Sequence, residues 1–204
     1  MDNKVFHKLS YGLFVVTAKT GKDNGCITNT VMQVTTTPNR ITLAVNKDNY
    51  THGMILESGV FNVSILAEDA TFDIFERFGF HSGRDTDKFA AFKDWARAEN
   101  GVTYVIRGTN GVISAKVCGT VDLGTHTLFV ADVTDAFSLS DTPAATYAYY
   151  HAHIKPKPTA KAPAEKALWR CTICGYEVEA GELPADFTCP LCKHPREDFE
   201  KVEK

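Results

Sequence analysis

Four of the chain's six cysteines, Cys171, Cys174, Cys189 and Cys192, fall within 22 residues near its C-terminal end. They form two Cys-x-x-Cys pairs. Each pair presents two thiolates from one tight loop, and two such loops close a tetrahedron around a single ion. Gly175, directly after the second cysteine, suits the positive φ that such a knuckle needs. Residues 168–204 number only 37, too few for a self-sufficient apolar core, so the metal has to supply much of the folding free energy. Trp169, Tyr176, Phe187 and Phe199 are aromatics enough to wrap one side of it. Zinc and iron both accept four thiolates, and the spacing leaves the two open. Cys26 and Cys118 stand apart from this set and read as small, half-buried residues.

A second group of residues has ligand-binding chemistry. Asn46-Lys47-Asp48-Asn49-Tyr50-Thr51-His52 lies between an apolar strand pattern and a helix start. With Thr51 as the helix cap, Lys47, Asn49 and the first helical amides could hold a phosphate, the other reading being an ordinary polar capped turn. Thr28-Asn29-Thr30 and Gln33-Val34-Thr35-Thr36 put small hydrogen-bonding side chains at strand ends. They suit a polar heterocycle and equally an ordinary surface. Ser82-Gly83-Arg84-Asp85-Thr86-Asp87-Lys88-Phe89 reads as a charged loop leading into a helix. No Ser/His/Asp set and no glycine-rich dinucleotide fingerprint occurs.

The elements that carry these residues are mainly β. Apolar and β-branched runs predict strands at 11–19, 26–30, 31–36, 41–45, 60–66, 102–107, 112–123 and 127–137. Turns are expected at Lys22–Gly25, Thr37–Asn39 and Asp122–Thr125, and short helices at Thr51–Ser58 (stopped by Gly59), Thr71–Phe78 and Lys88–Arg97. So many strands at this spacing point to a barrel, because closure removes exposed edges. Residues 154–167 hold three of the eight prolines, four lysines and no aromatic. They read as an extended spacer reaching about 40 Å at about 3.1 Å per residue. The expected organisation is a barrel over 1–153, a Lys/Pro/Ala linker over 154–167 and a metal-bound module over 168–204.

Composition narrows the function classes. The 204 residues are 44% hydrophobic and 23% charged, as in globular proteins and unlike disordered or collagen-like chains. A net charge of −3 offers no electrostatic footprint for nucleic acid. No apolar run is long enough for a membrane span, and the first residues show no secretory pattern. With clustered cysteines and no export signal, the expected compartment is the reducing cytoplasm.

The segment Trp169–Tyr176, with Leu183-Pro184, Asp186–Cys192 and Glu197-Asp198-Phe199, resembles a rubredoxin, which implies one iron on the four cysteines carrying one electron. Only 14 residues separate Cys174 from Cys189, as in the short rubredoxin tails of rubrerythrin-like proteins, and Lys193 stands where a glycine is common. Gly25–Thr30, Thr35–Pro38, Asn46–His52, Phe78–Phe89 and Tyr149-Tyr150-His151 together resemble the flavin reductase-like, FMN-binding split-barrel family. That resemblance implies FMN with its phosphate on Lys47, Asn49, Thr51 and His52, beside Asn46. Thr28, Asn29, Thr30, Gln33, Val34 and Thr35 would line the isoalloxazine ring. Phe80, Arg84 and Lys88 would approach it, the last two as its candidate positive charges. It also implies a homodimer with the flavin near the subunit interface.

The fusion itself resembles the high-molecular-weight rubredoxins of anaerobic bacteria. It implies an NAD(P)H:rubredoxin oxidoreductase, in which NADH or NADPH reduces FMN and the iron passes single electrons to an external acceptor such as a flavodiiron NO or O₂ reductase. The competing reading is a flavin reductase that releases reduced FMN and carries a structural zinc ribbon. A third is a barrel that nicotinamide does not reduce.

Overall fold

The computed structural model describes residues 1–156, 167–184 and 186–202. The chain divides into two compact units, Met1–Pro156 and Lys157–Lys204. Most of the expected 154–167 linker lies outside the described residues. Among those residues, no helix is long and apolar enough to cross a membrane.

The first unit is built on strands β1 (Phe14–Thr20), β2 (Lys22–Thr28), β3 (Met32–Thr36) and β4 (Asn39–Asn46), helix α1 (Tyr50–Ser58), then strands β5 (Val60–Leu66), β6 (Trp95–Arg97), β7 (Thr103–Val105), β8 (Thr109–Asp122) and β9 (His126–Ser138). Seven of the strands form one sheet in the order β2-β1-β5-β8-β9-β4-β3, and β6 pairs with β7 separately. β2 and β3 are opposite edges of that order, yet only residues 29–31 separate them in sequence. The sheet must therefore roll until its two edges nearly meet, giving a barrel split between β2 and β3. The expected closure is incomplete at this one place, where Thr30 Oγ1 donates to the Ala44 carbonyl of β4 at 2.7 Å and lies 2.8 Å from Thr28 Oγ1.

Inside the roll, Val16, Leu43, Ile55, Phe61, Val63 and Phe129 pack as one core. Ile55 comes from α1 and the others from β1, β4, β5 and β9, whose inward-facing side chains alternate with outward ones across the curled sheet. A second cluster on the outer face holds Val15, Ile74, Phe75, Phe78, Phe89 and Phe92. It beds a short helical turn, Phe72–Phe75, that runs on into a π-turn, Glu76–Phe80.

Three sequence expectations change. The first hairpin turns at Gly21 (φ 78°), not at Lys22–Gly25, and Asn24 and Cys26 are buried within β2. The cap of α1 is Asn49, whose side chain accepts from the Thr51 amide at 2.9 Å; Thr51 itself is buried in the first turn. Gly59 closes the helix in the left-handed conformation, as expected. No helix forms over Lys88–Arg97. Asp87 accepts from the amides of Phe89 and Ala90, and Trp95–Arg97 pairs with β7. Tertiary pairing and the Phe78–Phe89–Phe92 cluster outweigh a weak helical preference here.

The second unit is a three-stranded sheet, β11 (Glu177–Ala180), β10 (Ala167–Cys171), β12 (Phe199–Val202), in that spatial order. Its small core is Cys171, Leu183, Cys189 and Phe199, with Trp169, Tyr176, Val178 and Phe187 packed against it.

Candidate functional site

The split of the barrel gathers most of the polar residues singled out above. A cavity of about 180 Å³ is lined by Cys26–Thr30 of β2 and its loop, Ala44–Asn46 of β4, Asn49 and His126. A second, about 310 Å³, runs past Lys47, Asn49, Tyr50 and Arg84. A third, about 250 Å³, lies over Asn49, Tyr50, Gly79–Gly83 and Lys88. Asn49 borders all three.

A cationic rim surrounds this junction. Lys22 Nζ and the Arg84 guanidinium stand 5.1 and 5.6 Å from the centre of the Tyr50 ring. Lys22 also donates to the Gly83 carbonyl at 2.7 Å, and Arg84 to the Asp48 carbonyl at 2.9 Å. Gly83 is required by close approach: a Cβ there would overlap the Asn24 side chain. Lys47 reaches Asp122 at 2.7 Å on the exposed surface. Beneath the rim, Asn24 Nδ2 donates to Thr51 Oγ1 at 2.9 Å. Burial pushes the Cys26 thiol up from its ordinary value, against hydrogen bonds from Thr51 and Asn49 and the nearby Lys88 charge.

The expected contributors separate by position. Thr28, Asn29, Thr30 and Asn46 line the 180 Å³ cavity, and Lys47, Asn49 and Arg84 share the 310 Å³ one. Phe80 is exposed and borders the 250 Å³ cavity with Lys88. Thr51 is turned inward. His52 lines the 310 Å³ cavity by one edge, but it is buried and its Nε2 pairs with Thr127 Oγ1 at 2.8 Å, the ring lying against Phe129. Burial, then the Lys47 charge, lowers its pKa. Two of the first α1 amides are already used, Thr51 N–H by Asn49 Oδ1 and His52 N–H by the Asn49 carbonyl, so side chains carry more of any anion binding at this end. Gln33, Val34 and Thr35 lie on the fully exposed edge strand β3, away from these cavities, Gln33 donating to Asn39 at 3.0 Å.

Sequence reasoning missed Lys22, Asn24, Tyr50 and His126 at this junction. His126 arrives because it pairs in register with Asn46 across β4 and β9. No local pattern announces that meeting.

In the second unit, the Sγ atoms of Cys171, Cys174, Cys189 and Cys192 all lie within 4.8 Å of one another, with Cys171–Cys192 at 3.6 Å and Cys174–Cys189 at 3.5 Å. A tetrahedron with arms of about 2.3 Å has edges of about 3.8 Å, whereas a disulfide would need about 2.05 Å. The four sulfurs fit one tetrahedral ion. Burial pushes Cys189 up, but amide donation from Cys192 and Leu191 and the Cys174 and Cys192 sulfurs outweigh it and hold the thiol at about 6. Cys171 and Cys189 are buried, while Cys174 is exposed, as are Ile173 in its own knuckle and Leu191 in the other.

The donor set of the first unit suits a flavin. It offers a cationic rim for a phosphate, an aromatic ring in that rim, and hydroxyl and amide groups around a slot between sheet edges. Residues 6–157 match the family model of the flavin reductase like domain, and residues 169–200 match the rubrerythrin, rubredoxin-like domain. The high molecular weight rubredoxin of Moorella thermoacetica is 38% identical over 230 residues, covering 99% of this chain and 100% of that protein. A ferric-chelate reductase (NAD(P)H) of Archaeoglobus fulgidus is 41% identical over 158 residues, 77% of this chain and 93% of the relative. An FMN-binding protein from Thermus thermophilus, solved with bound 1-cyclohex-2-enone, superposes with a TM-score of 0.60 at 22% identity, over 66% of this chain and 74% of that one. This last likeness is one of fold.

Proposed function

The chain belongs to the flavin reductase like domain family and, through its rubredoxin-like domain, to the high-molecular-weight rubredoxins, and on that premise we propose that it is an NAD(P)H:rubredoxin-type oxidoreductase using FMN and one iron. Bound FMN would accept a hydride from NADH or NADPH and release its electrons singly, and a four-thiolate iron would carry one at a time to an external acceptor. One observation carries the reading. A single chain holds a cation-rimmed split barrel of the flavin reductase family and four sulfurs set for one tetrahedral ion.

The residues have distinct parts in it. Lys47 and Arg84, with Asn49, would hold a phosphate by their side chains, a role that their shared cavity supports. Thr28, Asn29, Thr30 and Asn46 surround the slot proposed for the isoalloxazine ring. Thr51 and His52 support this surface from beneath. Gln33, Val34 and Thr35 would join the site from a second copy of the chain. The exposed β3 edge, with Met32 and Val34 open to solvent, supports such a homodimer. At the metal, Ile173 and Leu191 beside exposed Cys174 form an apolar edge through which a redox partner, proposed as a flavodiiron protein, would take electrons.

The test is the cofactor content of the purified full chain. Tightly held FMN with one iron per chain, absorbing as a ferric thiolate, is expected. Zinc in place of iron, with flavin lost on gel filtration, would favour the flavin reductase that releases its product and would overturn this reading.

A further inference from the structure

Beside the split lies a fourth cavity, about 230 Å³, whose wall includes Phe80, Tyr147, Tyr150, His151 and Lys155. Most of its lining is aromatic or aliphatic, no carboxylate lines it, and Lys155 is its one permanent cation among the described residues. Phe80 and Tyr147 are exposed, so their rings are free to cover a ligand. Tyr150 is only 8% exposed, its ring 4.5 Å from that of Phe75, and a buried phenol ordinarily finds a hydrogen-bond partner. Among the described residues, the side chains of Tyr147, Tyr150, His151 and Lys155 have no hydrogen bond and no ion pair within the protein.

The backbone explains why these groups meet. The π-turn Tyr150–Ile154 closes with the Lys155 amide donating to the Tyr150 carbonyl at 2.8 Å, which brings Lys155 back beside Tyr150. His151 packs edge-on against Tyr147, with ring centres 4.6 Å apart. Shared walls tie this cavity to the others: Ile27 lines both it and the 180 Å³ slot, and Gly79 and Phe80 line both it and the 250 Å³ cavity. At about 230 Å³ it is smaller than the roughly 300–1,000 Å³ of a pocket for a whole drug-sized ligand. It has room for one end of a larger molecule whose other end lies at the slot.

Resting on the reading that a flavin occupies the split and NAD(P)H reduces it, we propose that this cavity takes the adenosine end of the nucleotide and that Lys155 selects NADPH by pairing with its 2′-phosphate. The nicotinamide has to meet the flavin at the slot, so the cavity beyond Ile27 is left to the far end of the dinucleotide. A purine is flat, which suits the exposed Phe80 and Tyr147 rings, and its ring nitrogens accept hydrogen bonds from phenols. Burial pushes the Tyr150 phenol up, with Tyr147 adding to the shift, so it remains an O–H donor near neutral pH. Lys155 and His151 are the donors left for an anion. The 2′-phosphate is the anionic group that NADPH has and NADH lacks, and a cation–phosphate hydrogen bond is among the strong ones.

The experiment is calorimetric titration of the full-length, flavin-loaded chain with 2′,5′-ADP and with 5′-AMP, for wild type, Lys155→Gln and Tyr147→Leu. Wild type should bind 2′,5′-ADP about tenfold tighter than 5′-AMP or better, the scale of one charge-assisted contact. Lys155→Gln, a change at an exposed side chain, should remove most of that margin and lower the NADPH-to-NADH ratio of kcat/KM in step. Tyr147→Leu should weaken both fragments alike. Equal affinities of wild type for the two fragments, a margin that survives Lys155→Gln, or unweakened binding in folded Tyr147→Leu overturns the proposal. A chain whose flavin is bleached by NADPH but which binds neither fragment also overturns it, and leaves the functional reading standing. A wild-type chain that holds no flavin at all would instead contradict that reading itself.

Discussion

Lys193 repeats in the second cysteine knuckle the left-handed turn that Gly175 makes in the first, at φ 62° against φ 74°. The equivalence extends to the backbone. Gly175 N–H donates to the Cys171 carbonyl and Lys193 N–H to the Cys189 carbonyl, each at 2.9 Å, while the Cys171 and Cys189 amides donate to Tyr176 and His194. The two loops are the same device, and one of them performs it without glycine.

A left-handed conformation costs a residue with a Cβ about 1–2 kcal/mol. Lys193→Gly should therefore stabilise the metal module by up to about 1 kcal/mol, and Gly175→Ala should destabilise it by about the same. Guanidinium midpoints followed by loss of metal–thiolate absorption would measure both. A stabilised Gly175→Ala would contradict the equivalence of the knuckles.

Asn49 caps α1 and borders all three cavities of the split. Asn49→Ala should cost about 1 kcal/mol in the first unit, a fall in Tm of roughly 2–4 °C for a domain of this size, and should also weaken flavin binding. Calorimetry and flavin titration on the same preparation separate the two effects. Flavin affinity untouched by a cap loss of that size would remove Asn49 from the site.

His52 has its pKa lowered from the ordinary 6.5 by burial and then by Lys47. Below the unfolded value the unfolded chain binds a proton that the folded one refuses. Stability should thus fall as the pH drops from about 6.5 toward the lowered folded value. Unfolding free energies measured at steps from pH 7.5 to about pH 5 should slope downward in this window, and His52→Gln, which keeps a donor toward Thr127, should flatten the slope. An equal slope in the variant would place its origin elsewhere.

The metal half of this protein is legible from sequence because its four ligands lie in one short stretch and their spacing fixes a four-thiolate site, though not which ion fills it. The strands, their approximate bounds and the Gly59 and Gly124 turns are legible too, since alternation and turn residues are local signals. The facing of Thr51 and His52 is not. It depends on Asn24, and on Thr127 and Phe129 of β9, 75 or more residues away. Lys88 sits in a charged run that reads as solvated, and only the packing of Gly25 and Phe78 around it reveals a buried ammonium. Lys22 likewise lies where the sequence suggests a turn, and becomes part of the rim because the turn falls one residue earlier, at Gly21.

The central claim is that nicotinamide electrons pass through both cofactors of one chain, and an anaerobic absorbance titration with NADH and then NADPH tests it directly. The account predicts flavin bands overlaid on ferric-thiolate absorption, both bleached by substoichiometric amounts of one nicotinamide. Bleaching of the flavin while the metal–thiolate bands stay unchanged, or no bleaching by either nucleotide, would contradict it.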